Sequence, residues 1–166
     1  MIECAVVVLI AYTLVTFFGM RTSVVGTAMK DTLDNEEQIL VNRFVYSFSS
    51  PKQGDIVVFL PNGNQKSHYY VRRVIAGPGD KVWIHDGAVY VNGAMYEETT
   101  TVASIDDPGV ASEEIKLGTD EYFVLGDNRN NSEDSRLANI GNVKKEYIIG
   151  KAWFHFKSIG HMGFLH

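Results

Sequence analysis

The amino-acid sequence predicts a mainly β protein, preceded by one amino-terminal helix. The first observation is an apolar run at residues 2–19, IECAVVVLIAYTLVTFFG. The second is a change after residue 20, where short runs rich in Val, Ile, Tyr and Phe alternate with clusters of Gly, Asn, Asp and Pro. The third is that this later part has no long 3.6-residue periodicity. With 166 residues, the chain can form one domain with a core, but not two once the apolar run is subtracted.

The apolar run is predicted to be a transmembrane anchor. It carries one charge, Glu3, and as a helix it spans about 27 Å, close to the thickness of the hydrocarbon layer. A cleaved signal peptide is disfavoured because no basic segment precedes the run and no small-x-small site follows before Arg21. A buried soluble helix is disfavoured because apolar side chains surround the helix. We expect an anchor at 1–20 and a body at 21–166, with the orientation left open by Glu3 and Arg21.

Eight segments of the body have the composition and alternation of strands. They are Ser23 to Ala28, Gln38 to Tyr46, Asp55 to Leu60, His68 to Ile75, Lys81 to His85, Ala88 to Val91, Tyr122 to Leu125 and Ile148 to Phe156. Asp86-Gly87 is a strong hairpin signal, because Gly tolerates the positive φ of a tight primed turn. The polar stretch 97–120 is predicted to be a loop within a small inserted region at about 81–121, and 142–147 a short helix.

Composition excludes several classes of function. The formal net charge is -5 with acids and bases interspersed, so no basic stripe is available to neutralise phosphates and nucleic acid is not an expected partner. Cys4 is the single cysteine, which excludes an intramolecular disulfide and a multi-cysteine zinc site. The five histidines are scattered without metal-ligand spacing. We therefore predict neither a metal nor a cofactor.

Four short boxes follow one another along the body. They are Val25–Leu33 (VGTAMKDTL), Gly54–Phe59 (GDIVVF), Tyr70–Asp80 (YVRRVIAGPGD) and Gly126–Arg136 (GDNRNNSEDSR). Together they resemble the boxes of bacterial type I signal peptidases of the Gram-positive type, peptidase S26, usually VxGxSMxPTL, GDIVVF, YxKRxxGxPGD and GDNRxxSxDSR. Boxes containing SM also occur in self-cleaving SOS repressors, but the last box and the apolar run favour signal peptidase. The resemblance covers nearly the whole chain and implies the antiparallel β fold that the two families share.

This family uses a serine nucleophile and a lysine general base, and the chain has neither at the matching positions. Ala28 stands where the serine belongs, and Arg72 stands where the lysine belongs. A lysine buried in an apolar site can be neutral near pH 7 and accept the hydroxyl proton, whereas a guanidinium stays protonated and has no lone pair to offer. Since Ala28 also has no nucleophilic atom, the chain is predicted not to cleave peptides.

The resemblance also implies roles for other residues. Ser132 matches a serine that supports the lysine by hydrogen bonding. Ion pairs brace the site at positions that match Arg73, Asp127, Asp134 and Arg136. The family holds its substrate as an extended strand by edge pairing, here between 23–29 and 68–72. The residues expected to line this path are Ser23, Val24, Val25, Gly26, Thr27, Met29, His68, Tyr70 and Val71. Rescue of catalysis by Ser132 with His68 is a separate hypothesis.

Two further departures lie beside the nucleophile position. The family usually has Pro where Asp31 stands, and an acid or an apolar residue where Lys30 stands. With Ala28 and Arg72, four departures adjoin the expected site while the other boxes are intact, which favours a naturally degenerate paralogue over an engineered inactive enzyme. Arg72 places a permanent cation in a pocket that the family keeps apolar. We therefore expect a carboxylate partner from the bound protein or from the acidic insertion.

Three functions follow from these expectations. The first is an inactive signal-peptidase-like membrane protein that binds secreted or membrane-tethered chains as an accessory factor or chaperone. Its client is a preprotein, or a pilin, because some Gram-positive bacteria use relatives without the dyad in pilus assembly. The second is signal peptidase I itself, a serine endopeptidase that removes signal peptides, in an inactivated form or with unrecognised groups. The third is a membrane-anchored structural β domain. The resemblance implies a single-pass protein of the cytoplasmic membrane with its β domain on the extracytoplasmic face.

Overall fold

The computed structural model describes residues 2–158 and 161–165 of the chain. It begins with helix α1, Ile2–Phe18, where the apolar run predicts a helix. Three consecutive side chains of this helix, Val7, Val8 and Leu9, are between 64% and 66% exposed, so the helix has no single buried stripe. Across the described ranges, no helix is long and apolar enough to cross a membrane. The helix is confirmed, and its role as an anchor stays a prediction.

Twelve strands and a short helix α2 (Val45–Phe48) are described after α1. The strands are β1 (Gly19–Ser23), β2 (Gln38–Asn42), β3 (Ile56–Phe59), β4 (Tyr70–Ala76), β5 (Lys81–His85), β6 (Ala88–Val91), β7 (Ala94–Met95), β8 (Ile115–Lys116), β9 (Glu121–Leu125), β10 (Val143–Lys144), β11 (Ile148–Ser158) and β12 (His161–Phe164). Eight form the main sheet in the order β1-β2-β11-β3-β4-β9-β10, with β12 beside β11. All of these pairs are antiparallel, which confirms the predicted fold class.

The centre of the main sheet is β3, which lies between β11 and β4. All four residues of β3 are buried, as expected for the continuous apolar run IVVF. In its register with β4, Ile56 lies opposite Arg73 and Val57 lies opposite Arg72. Because successive residues of a strand point to opposite faces, the two arginines of β4 lie on opposite faces of the sheet.

A second, four-stranded sheet has the order β7-β6-β5-β8. Its central hairpin turns at Asp86 and Gly87, with φ of 50° and 75°, and this confirms the predicted primed turn. The sheet packs through Val82 and Ile84 onto a cluster that includes Phe123 of the main sheet. These strands occupy the region predicted to be an insertion, whose boundaries stay a prediction.

The structure differs from the sequence prediction at several places. The strand predicted from Gln38 to Tyr46 ends at Asn42, and Val45 and Tyr46 belong to α2. The stretch 97–120, predicted to be a loop, contains β8 and a 3-10 turn at Gly109–Ser112.

Residues 24–28 were predicted as strand, but the strand β1 ends at Ser23 and the chain then turns, with φ of 86° at Gly26 and 82° at Asp31. Residues 142–147 were predicted as a helix, but they form β10 followed by a single 3-10 turn. The helix prediction was wrong because pairing of β10 with β9 outweighs the local helix propensity.

Gly150 provides a test of the packing between β11 and β2. A Cβ at this position would collide with the main-chain carbonyl of Asn42, whereas a Cβ at Gly77 would make an ordinary contact 3.6 Å from the ring of Tyr122. We expect Gly150→Ala to lower the free energy of unfolding by about 1–3 kcal/mol, the usual penalty for overpacking. Gly77→Ala is the control and should have little effect. Equal urea midpoints for the two variants would contradict the packing described here.

Candidate functional site

The first box, 25–33, is a turn that is anchored at one end in the core. The amide of Lys30 donates to the carbonyl of Thr27 at 3.1 Å, and the amide of Leu33 donates to that of Met29 at 2.7 Å. The side chains of Met29 and Leu33 are buried in the main core. The tight turn therefore holds Ala28 at a position that the core fixes, and Ala28 itself is 7% exposed.

Asparagines of the last box hold the first box from the other side. The amide of Asn128 donates to the carbonyl of Ala28 at 2.9 Å, and the Nδ2 of Asn128 donates to the carbonyl of Thr27 at 2.9 Å. The Nδ2 of Asn131 donates to the Oγ1 of Thr27 at 3.0 Å. Both asparagines lie in the last box, but the sequence alone predicted no role for either of them. Together they join segments about a hundred residues apart in sequence.

Arg73 and Asp127 form a bidentate ion pair in the interior. The Nε and Nη2 of Arg73 donate to the two carboxylate oxygens of Asp127 at 2.9 and 2.7 Å, and both side chains are nearly inaccessible. Arg73 also donates to the carbonyl of Gly54 at 3.0 Å, and the hydroxyl of Thr32 donates to Asp127 at 2.6 Å. This pair therefore connects residues from all four boxes.

A second buried pair lies within the last box. The Nε and Nη2 of Arg136 donate to the carboxylate of Asp134 at 2.8 and 2.9 Å, and Asp134 also accepts from the amide of Gly126. The four predicted bracing residues thus form two separate ion pairs. A third pair was not predicted from the sequence. Both terminal nitrogens of Arg129 donate to Glu98, which lies in the polar stretch predicted to be a loop. No sequence signal distinguished Glu98 from its acidic neighbours.

Arg72 is almost completely buried, at 6% exposure, and makes no ion pair with any residue of the described ranges. Its Nε donates to the carbonyl of Glu133 at 2.8 Å, and its Nη1 donates to the carbonyl of Val71 at 2.7 Å. Its guanidinium carbon lies 4.9 Å from the ring centroid of Tyr70. Burial lowers the pKa of Arg72, and the nearby Asp134, Tyr70 and Glu133 oppose that shift. The acidic insertion does not supply the partner expected for it.

Ser132 lies beside Ala28, but its hydroxyl is not engaged. A Cβ on Gly126 would touch both the Oγ of Ser132 and the carbonyl oxygen of Ala28, so these two atoms lie close together. The Oγ of Ser132 is buried without a hydrogen-bond partner among the described residues. The His68 ring stacks on the Tyr70 ring at a centroid distance of 4.9 Å and makes no bond to Ser132. The Ser132–His68 pair proposed as a rescue is therefore not formed.

The residues predicted to line the substrate path differ in exposure. Val24, Met29 and Val71 are buried in the core, so only their main chains can contact a ligand. Ser23 ends β1, where its hydroxyl accepts from Gln38 at 2.7 Å. The remaining positions are accessible to different degrees, and they are Val25, Gly26, Thr27, His68 and Tyr70. Strand β9 pairs with β4 only from Arg73 onward, which leaves 70–72 without a strand neighbour on that side.

The structure thus has the antiparallel β class of the predicted family, with its first and last boxes in direct contact. In a comparison with protein families, residues 1–157 match the family described as signal peptidase, peptidase S26. The chain belongs to the signal peptidase family, peptidase S26.

Individual relatives agree with that family. Signal peptidase I P of Bacillus subtilis subsp. natto is 38% identical, covering 90% of this chain and 83% of the relative. Probable signal peptidase I-2 of Synechocystis sp. is 33% identical, and the match covers 95% of this chain and 72% of the relative. Signal peptidase IB of Staphylococcus aureus is 32% identical, and the match covers 93% of this chain and 86% of the relative. A crystal structure of a signal peptidase I from Enterococcus faecalis V583 is 26% identical over 61% of this chain and 95% of that chain, with a TM-score of 0.46.

The buried pair of Arg73 and Asp127 should contribute strongly to stability. Asp127→Asn leaves the buried Arg73 without its counter-charge, so we expect the free energy of unfolding to fall by about 3–5 kcal/mol. Lys81 and Glu114 form an ion pair whose side chains are 50% and 53% exposed, and Glu114→Gln should change the same quantity by at most about 1 kcal/mol. Urea unfolding of both variants compares the two. Similar losses would contradict a structural role for the buried pair.

Asp31 should resist replacement by the residue that is usual in the family. Its φ of 82° is accessible to Gly but not to Pro, whose ring holds φ near −65°. We expect Asp31→Pro to lower the free energy of unfolding by more than about 1 kcal/mol, and Asp31→Gly to change it by less than about 1 kcal/mol. Thermal and urea unfolding measure both effects. A Pro variant as stable as the Gly variant would show that the turn has a different backbone.

Proposed function

We propose that this chain binds the region around the cleavage site of a signal-peptide-bearing preprotein and does not hydrolyse it. The observation that carries the proposal is the occupancy of the two dyad positions by Ala28 and Arg72 in a chain of the signal peptidase family. Membership of the family supports the choice of ligand. The two substitutions support the absence of the family's covalent chemistry.

Arg72 is unsuited to the role of general base for two reasons. A guanidinium has no lone pair that can accept a proton, and it stays protonated in proteins. The Nε and Nη1 of Arg72 also point at the carbonyls of Glu133 and Val71, so two of its nitrogens act as donors to the main chain. Burial lowers the pKa of Arg72. A guanidinium nevertheless stays protonated in proteins, whereas a buried lysine can become neutral near pH 7.

Ser132 does not form a nucleophile and base pair with any described residue. It has a hydroxyl beside Ala28, but no described residue accepts its proton in a hydrogen bond. Nucleophile and base must lie within hydrogen-bond reach for the hydroxyl to be activated. Members of such a unit act together, so the loss of one removes most of the catalysis.

Binding of an extended peptide is still compatible with the geometry. Residues 70–72 of β4 have no strand neighbour on the β9 side, and an unpaired edge is what strand addition requires. Residues 25–27 of the first box are exposed, with Val25 at 53%. Main-chain pairing needs neither the serine nor the lysine.

The proposal includes an accessory or chaperone role for a preprotein or a pilin. In this proposal α1 is a single-pass anchor in the cytoplasmic membrane, and the body lies on the extracytoplasmic face.

Signal peptidase I activity is the second candidate. Its specific support is that the similar relatives described above are all named signal peptidases. Hydrolysis by this chain would require a nucleophile and a base other than residues 28 and 72. The two candidates differ in one measurable respect, the appearance of a cleaved product.

A paired assay separates the candidates. The unmodified chain, Ala28→Ser alone and Ala28→Ser/Arg72→Lys are incubated with a labelled preprotein, and binding and cleavage are recorded together. We expect the unmodified chain to bind the preprotein while product stays at the level seen without protein. Ala28→Ser is the matched control, because it restores a hydroxyl without a base and should also be inactive. Cleavage by the double variant would show an otherwise functional groove.

Two outcomes contradict the proposal in different ways. Cleavage by the unmodified chain would favour signal peptidase I activity, and its persistence in Ser132→Ala would exclude the nearest hydroxyl as nucleophile. Failure of every variant to bind any signal-like peptide would leave a structural β domain as the remaining function.

A further inference from the structure

Arg72 is a buried cation whose surroundings leave it without a neutralising partner. The carboxylates nearest to it are already engaged by other groups. Asp134 is paired with Arg136, and the carboxylate of Glu133 accepts a hydrogen bond from the hydroxyl of Tyr70 at 2.7 Å, although both carboxylates favour the charged form of Arg72 through space. A buried cation that has only neutral carbonyl acceptors is costly compared with one paired to an anion. The site is therefore electrostatically suited to receive a negative charge.

Unused hydrogen-bond donors lie in the same small region. Among the described residues, the Nη2 of Arg72 makes no hydrogen bond, in contrast to its Nε and Nη1. The hydroxyl of Ser132 is buried and has no hydrogen-bond partner in the described part of the chain. Arg72 contacts the carbonyl of Glu133, the residue next to Ser132, and Ser132 in turn lies against Ala28. Ala28 adds only a methyl group, so no side-chain hydroxyl at this position competes for these donors.

We infer that the ligand ends at this site, and that the guanidinium of Arg72 and the hydroxyl of Ser132 bind its free C-terminal carboxylate. This inference rests on the proposed function, because it concerns the same peptide path. A peptide that continues past Ala28 would offer a neutral carbonyl to Arg72. A peptide that ends there offers two charged oxygens, and charge-assisted hydrogen bonds to an arginine are stronger than those between neutral groups. The chain would then capture peptides after cleavage has occurred elsewhere.

Three peptides of one signal-like sequence test the inference on the full chain. The first ends in a free acid, the second in an amide, and the third in an amide with Asp as its last residue. We expect the free acid to bind at least about tenfold more tightly than either amide, the usual scale for a hydrogen-bonded charge. The Asp peptide distinguishes an α-carboxylate from a side-chain carboxylate, and its binding as tightly as the free acid would overturn the assignment. Fluorescence anisotropy at one fixed ionic strength measures all three.

Arg72→Met tests the residue itself. It removes the charge and keeps most of the length, and replacing a buried charge by an apolar side chain is often tolerated. We expect this variant to lose the preference for the free acid, so that its affinities for the acid and for the amide lie within about twofold of each other. Arg43→Met is the matched control, since Arg43 is exposed and lies outside this region. It removes the same charge and should keep the full preference. Ser132→Ala should reduce the preference in part.

The outcomes separate this inference from the proposed function. Equal affinity of the unmodified chain for acid and amide overturns the inference and leaves peptide binding intact. No binding of any peptide overturns the proposed function as well. An acid preference that persists in Arg72→Met, in a variant whose urea midpoint shows that it is folded, overturns the role of Arg72.

Discussion

The buried ion pair between Arg73 and Asp127 is the interaction on which the arrangement of this site depends. It lies where β4 meets the last box, and it also receives the hydroxyl of Thr32 and contacts the carbonyl of Gly54. Because both charges are inaccessible to solvent, neither can lose its partner without a large penalty. Segments distant in sequence are thereby held in one geometry, and Ala28 is positioned within it.

Adjacent arginines on β4 have opposite situations. Arg73 is paired with Asp127, whereas Arg72, on the other face of the strand, contacts main-chain carbonyls and the ring of Tyr70 and forms no ion pair with a described residue. One residue stabilises the scaffold, and the other carries a charge that the scaffold does not neutralise. Arg72 thus differs from its neighbour in having no described carboxylate within ion-pair distance, although the boxes around it are joined by buried ion pairs.

The sequence predicted much of this, but the contacts depended on side chains that no pattern could assign. Arg73 and Arg136 were both expected in ion pairs, and the structure pairs Arg73 with Asp127 and Arg136 with Asp134. Glu98 is one acidic residue among several in a stretch predicted to be a loop, and its ion pair with Arg129 depends on the tertiary fold. The strand predicted at 24–28 failed for a local reason, because positive φ values at Gly26 and Asp31 turn the chain out of the sheet.

By itself, the sequence predicted a mainly β body, the hairpin at Asp86-Gly87 and the presence of Ala28 and Arg72 at two positions within the boxes, since alternation, turn residues and residue identity are local properties. Only the tertiary structure decided which carboxylate neutralises which arginine, and that Arg72 forms no ion pair within residues 2–158 and 161–165. Ion pairing between buried groups depends on distances between segments far apart in the chain. Those distances are set by the packing of the whole sheet, so one position within a box could not reveal them.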